Sequence, residues 1–223
     1  YPAANLVTGG AATVALGQAD LTSDVNTSGT ATATNLNNAT RITFDSSGNL
    51  WAADKGNSRI LKYPAANLST GGAATVALGQ ADLTSDVKAI TATSLINATG
   101  VTFDSDGNLW VADKGNSRIL KYPAANLVTG GAATVALGQT DFTSRTNGNT
   151  ATTMKNATGI TFDSSGNMWV ADTGNFRILK YPAANLATGG AATVALGQTD
   201  LTSTEQGITA TTLNNSTSIA FDS

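Results

Sequence analysis

One hexapeptide, Tyr-Pro-Ala-Ala-Asn-Leu, begins at Tyr1, Tyr63, Tyr122 and Tyr181, at spacings of 62, 59 and 59 residues. Self-similarity at a fixed period of this size limits a chain to solenoids, propellers and related arrays. Within the period the best-kept stretch is Thr99 to Pro123, TGVTFDSDGNLWVADKGNSRILKYP, which returns from Thr158 to Pro182. It returns again from Thr40 to Pro64, with Arg41 in place of a glycine. The first unit is three residues longer than the others, and the excess lies between Asp20 and Asp45, in a loop. Loops tolerate changes of length that strands do not.

Each unit reads as four short apolar runs. Run a is TGVTFD, b is NLWVAD, c is RILKYP and d is ATVALG, the last within Ala74 to Gln80 in one unit. DSDGN separates a from b, and DKGN separates b from c. Gly supplies the positive φ of such turns, while Asp and Asn side chains cap them. Gly71-Gly72 and Gly130-Gly131 mark the turn between c and d, and Pro64, Pro123 and Pro182 close run c, where a missing N–H is tolerated. No run reaches helical length, so the chain is all-β.

The runs ITF, LWVA and ATVAL are nearly continuous in apolar residues, as in strands covered on both faces. A four-stranded sheet that is covered on both sides and repeated is a propeller blade. A parallel solenoid of three coils per unit is the competing architecture. Tight turns joining successive runs favour antiparallel blades over it. The expected division is a partial blade 1–39, blades 40–98, 99–157 and 158–216, and the start of another at 217–223. Fifteen strands are expected: c and d in residues 1–18, three full sets, and a final a at Thr217 to Asp222. Such an array is open.

At this point the residues resemble a known family. GITFDSSGNMWVADTGNFRILKYP, Gly159 to Pro182, is similar to the NHL repeat: Phe-Asp before Ser-Gly-Asn, then Val-Ala-Asp, Gly-Asn and Arg-Ile. The following LGQxDxTS segment and long loop are similar to those of bacterial members. The resemblance implies a β-propeller of four-stranded blades. It departs where the family often carries Pro two residues before the glycine that opens run a, since Ala98 and Ala157 stand there. Members that cleave peptidyl-hydroxyglycine use metal-bound histidines, and this chain has no His, so that activity is not carried over. RNA-binding members present a basic face, which 12 cations among 15 anions do not suggest.

The lack of His and Cys also removes Ser-His-Asp triads, His-ligated zinc and disulfides. No apolar run approaches a membrane-spanning helix. No cofactor, metal or nucleic-acid partner is expected. With neither initiator Met nor signal core at Tyr1, the chain reads as a processed product or a piece of something longer.

Candidate residues are structural in this reading. Trp51, Trp110 and Trp169 sit in run b among apolar neighbours, which points to packing between blades and away from a sugar-stacking platform. Asp54 with Arg59, Asp113 with Arg118 and Asp172 with Arg177 flank the same turn and suit a charge-assisted bond pinning the hairpin. Asp104 to Asn108 resembles the opening of a calcium loop, but its twelfth position is Gly115 and sister units carry Ser47 or Ser165, so a turn is expected. Asn-X-Ser/Thr sequons occur at Asn26, Asn38, Asn67, Asn97, Asn156, Asn214 and Asn215.

The expected function is a non-enzymatic scaffold or protein-interaction module, bacterial and extracellular or cell-surface. The alternatives are a carbohydrate-binding propeller using the long loops, and a carboxylate-dependent hydrolase, for which Glu205 is the only Glu. The d–a loops and b–c turns of a propeller share one face, so these loops are expected to carry specificity. Expected partners are further blades of the same polypeptide or other copies of the chain, and a protein or glycan ligand.

Overall fold

The computed structural model describes residues 2–23 and 30–222. The repeat produces three four-stranded antiparallel sheets, each with its strands in chain order. The first holds β1 (Ala39–Phe44), β2 (Leu50–Asp54), β3 (Arg59–Tyr63) and β4 (Val76–Leu78). The second holds β5 (Ala98–Phe103), β6 (Leu109–Asp113), β7 (Arg118–Tyr122) and β8 (Val135–Leu137). The third holds β9 (Ile160–Phe162), β10 (Met168–Asp172), β11 (Arg177–Tyr181) and β12 (Val194–Leu196). The blades form an open propeller arc, and single 3₁₀ turns are the only helical pieces among the described residues. No helix there is long and apolar enough to cross a membrane.

Local chemistry sets the register. In the a–b turn the Asp104 carboxylate accepts the backbone N–H groups of Asp106 and Asn108 at 3.0 and 2.9 Å, closing DSDGN. The b–c connection is a 3₁₀ turn, Lys114–Asn116, ending on Ser117 at φ 51°, and it pairs Asp113 with Arg118 and Leu109 with Tyr122. The other two hairpins keep the same pairing. Between c and d, Gly71 takes φ +74°, and a Cβ on Gly72 would sit 1.9 Å from the Asn67 carbonyl oxygen, so that turn admits no side chain at Gly72.

Twelve strands form among the described residues, fewer than the fifteen expected. Run d of residues 2–18 needs strand c beside it, as β4 has β3, and only Tyr1 and Pro2 of that run are present. Residues 217–222 need strand b, as β1 has β2, and none is there. A strand without a ladder partner leaves its backbone unpaired, and both segments dock only by their inter-blade contacts. Thus Ala15 N–H donates to Thr70 Oγ1 at 3.2 Å, as Ala77 does to Thr129. The sequon at Asn26 lies outside the described residues.

The core lies between blades, which explains why the runs are apolar on both faces. Trp51, Ile60 and Leu78 of the first sheet meet Val101, Val111 and Leu120 of the second. Trp110, Ile119 and Leu137 of the second meet Val170 and Leu179 of the third. At the axis, threonines hook blade to blade: Thr40 Oγ1 donates to the Thr99 carbonyl at 2.9 Å, Thr99 Oγ1 to Thr158 at 3.3 Å and Thr158 Oγ1 to Thr217 at 3.4 Å. Arg41 spans the arc to the same Thr217 carbonyl at 3.0 Å.

Candidate functional site

The site begins with the charged pairs that flank the b–c turn. Arg59, Arg118 and Arg177 place Nε 2.6, 2.8 and 2.8 Å from Asp54, Asp113 and Asp172, and all six side chains are fully buried. The carboxylate of Asp113 also accepts the Ile96 backbone N–H at 2.7 Å and the Asn116 side-chain amide at 2.8 Å. Burial pushes the Asp113 and Asp172 carboxyls above the usual carboxylate value, against the opposing pull of these donors and the arginines.

The arginines reach further than the hairpin. Arg118 donates to the carbonyls of Thr91 (2.9 Å) and Ser94 (3.2 Å) in the loop before its blade, and to Phe142 (2.7 Å) in the loop after it. Arg59 does the same with Thr32, Asn35 and Leu83. Each guanidinium is therefore a staple between two long d–a loops and one b–c turn. A glutamine adds a second clasp: Gln80 Nε2 donates to the carbonyls of Ser58 at 3.0 Å and Val87 at 2.8 Å, while its oxygen accepts the Val87 N–H at 2.9 Å. Gln139 and Gln198 repeat it.

The loops carry their own turns. Asp82 accepts the N–H groups of Thr84 and Ser85, each at 2.8 Å, and these bonds hold its carboxyl at about 2. Asp20, Asp141 and Asp200 are held at about 2 in the same way. The described parts of the long loops are thus held by their own bonds, and they lie together with the b–c turns on one face.

The tryptophans are placed elsewhere. Trp51 and Trp110 are fully buried, and Trp169 is half-buried. Each indole N–H donates to the aspartate of its own a–b turn, Trp110 to Asp104 at 2.8 Å. Each ring meets a phenylalanine of the next blade edge-on, at 5.9, 5.9 and 5.8 Å for Phe103, Phe162 and Phe221. A lysine lies over each ring at 5.3–5.6 Å. The Asp104 carboxylate spends its contacts on that indole, on Asp106 and Asn108, and on the Lys121 ammonium at 3.9 Å. No group of three or more metal-ligating side chains occurs among the described residues.

Three clefts bear chemistry. One of about 480 Å³ lies between blades on the a–b side, lined by Asp104, Asp106, Lys121 and Asp163. One of about 200 Å³ is the axial channel, lined by Arg41, Thr43, Thr102 and Thr161. The third, about 390 Å³, opens on the loop face between Asn147, Asn149, Lys155 and Phe176. Sequence reasoning missed Gln80, Gln139 and Gln198 as clasps, and it passed over Lys155 and Phe176. The signal for the last two was present: they break the repeat, replacing Asn37 or Ile96 and Ser58 or Ser117.

The NHL repeat model matches residues 95–122 and 154–181, so the chain carries NHL repeats. No curated protein sequence gives a significant match. Among solved structures, a streptogramin B lyase is 17% identical, with a TM-score of 0.46 over 72% of this chain and 41% of its own. Virginiamycin B lyase from Staphylococcus aureus is 14% identical, with a TM-score of 0.44 over 71% and 40%. Kuenenia stuttgartiensis hydrazine synthase is 11% identical, with a TM-score of 0.49 over 81% and 40%. The chain spans about two fifths of the length of each. The expectation that the chain is not an enzyme is corrected by these neighbours, which are themselves named as enzymes.

Proposed function

From a chain whose NHL repeats build an open propeller arc, we propose a recognition module that engages its ligand through the face of d–a loops and b–c turns. The observation that carries this reading is the combination of clamped backbone and varied side chains on that face. Three buried arginines and three glutamines hold the loops in one geometry. Yet the loop tips read Asp86-Val87-Lys88, Arg145-Thr146-Asn147 and Thr204-Glu205-Gln206, while the strands hardly change. Variable residues on a rigid scaffold are the usual arrangement of binding surfaces. The test is a chain in which residues 145–149 and 204–208 carry the sequence of 86–90. Parent and variant are compared on a glycan microarray and a displayed peptide library. Loss of binding at an unchanged melting temperature supports the reading, and binding that survives the replacement overturns it.

A second reading concerns assembly, and it rests on Ile42 and Phe44. They are 59% and 54% exposed, whereas the equivalent Val101 is 7% exposed and Phe103 packs on Trp51 of the preceding blade. The same contact recurs at each internal junction, so the face around Phe44 fits another repeat of this type, offering a strand-b tryptophan. Sedimentation at rising concentration should then show head-to-tail association that Phe44→Ser weakens. A strict monomer that binds no anilinonaphthalene sulfonate overturns it.

A further inference from the structure

The loop-face cleft in the third blade differs in chemistry from its two sisters. Ser58 and Ser117 end the first two b–c turns, and their hydroxyls accept the backbone N–H groups of Asn97 and Asn156 at 3.2 and 3.3 Å. The third turn ends on Phe176, held at φ 54°, ψ 41°. A bulky side chain in the left-handed region is conformationally costly, and here it also forgoes the hydroxyl bond that its sisters make. Its ring is half-buried in the cleft wall.

Three further cleft residues depart from the repeat around it. Lys155 replaces Asn37 and Ile96, Asn147 replaces Lys88, and Asn149 replaces Ile90. Asn147 Oδ1 accepts the Ser117 hydroxyl at 2.5 Å, which leaves its amide N–H groups free. Asn149 Nδ2 donates to the Thr202 carbonyl at 2.5 Å, which leaves its amide oxygen free. The Lys155 side chain is exposed and has no acidic partner among the described residues. No carboxylate lines the cleft, and Glu205, next to lining residue Thr204, bonds into the Gln198 clasp only through its backbone.

We propose that this cleft binds a uronic acid residue of a glycan. The Phe176 ring offers the apolar face on which a pyranose C–H face stacks. Asn147 gives a donor and Asn149 an acceptor for neighbouring hydroxyls, and Lys155 gives the charge that the sugar carboxylate needs. The volume of about 390 Å³ lies within the ~300–1,000 Å³ common for small-ligand sites. The inference rests on the loop face being the recognition surface, and names what one part of it takes.

The sister repeats supply the test variants, since each residue has a counterpart that the same turn already accommodates. Calorimetric titration would compare a glucuronate-terminated disaccharide with its glucose-terminated counterpart. Phe176→Ser should weaken both by about tenfold or more, and Lys155→Asn should remove only the preference for the acid, also about tenfold. Equal affinity for the two sugars, or undiminished binding by Phe176→Ser, overturns the proposal. So does binding of an acidic peptide with no saccharide binding. If the arrays show loop-dependent binding of some other ligand, this inference falls and the loop-face reading stands. If loop replacement leaves all binding intact, both fall.

Discussion

Arg118→Ala is expected to cost about 3–5 kcal/mol of stability, because it strips a fully buried carboxylate of its counter-charge. The guanidinium serves four acceptors: Asp113 and the carbonyls of Thr91, Ser94 and Phe142. Alanine leaves all of them without that donor inside the protein, and unmet buried acceptors are costly. Arg118→Lys should rescue little, since one ammonium cannot reproduce the forked geometry. The loss should depend on pH in a definite sense. Burial already raises the Asp113 carboxyl, and without Arg118 it rises further. A folded-state pKa above the unfolded value adds stability at low pH that is lost as pH rises through the folded value. The variant should therefore lag the parent more at pH 7 than at pH 4. Urea unfolding at both values, with hydrogen exchange of residues 86–94 and 142–149, checks this. A cost under about 1 kcal/mol with unchanged exchange would show that the staple does not hold the loops.

Trp110→Ala should cost a similar amount, about 3–5 kcal/mol, by a different route. The ring is fully buried between two blades, edge-on to Phe162 and under Lys121, with its N–H on Asp104. Removing it opens a cavity at a junction, frees the Asp104 carboxylate of its indole donor and loosens one blade from the next. Trp169→Ala should cost less, because that ring is half-buried and its neighbour Phe221 is 46% exposed. Equal losses at the two positions would refute inter-blade packing as the source of the effect. Thermal melts of both variants beside the parent decide it.

Much of this architecture is legible in the residues alone. DSDGN and DKGN announce their turns, because Asp, Asn and Gly act on backbone groups two to four positions away. Asp113 and Arg118, five apart across such a turn, must face each other once the hairpin forms. Continuous apolar runs require cover on both faces, and a period of 59 residues supplies it by repetition. All of these are short-range statements, and a sequence can make them by itself.

What the tertiary structure decided lies at longer range. Arg118 reaches carbonyls 24 and 27 residues away on two different loops, and no spacing rule predicts which backbone oxygens a buried guanidinium will meet. The terminal runs look like strands but form none, because a ladder needs a neighbour and pairing is a property of the assembled sheet. Trp110 and Trp169 are equivalent in the repeat, yet only one is fully buried, since burial depends on how much of the next blade is there to cover the ring. Phe176, Lys155, Asn147 and Asn149 stand out in the sequence only as scattered exceptions. They become a site because the arc brings a turn and a loop, some thirty residues apart in the chain, to the two walls of one cleft.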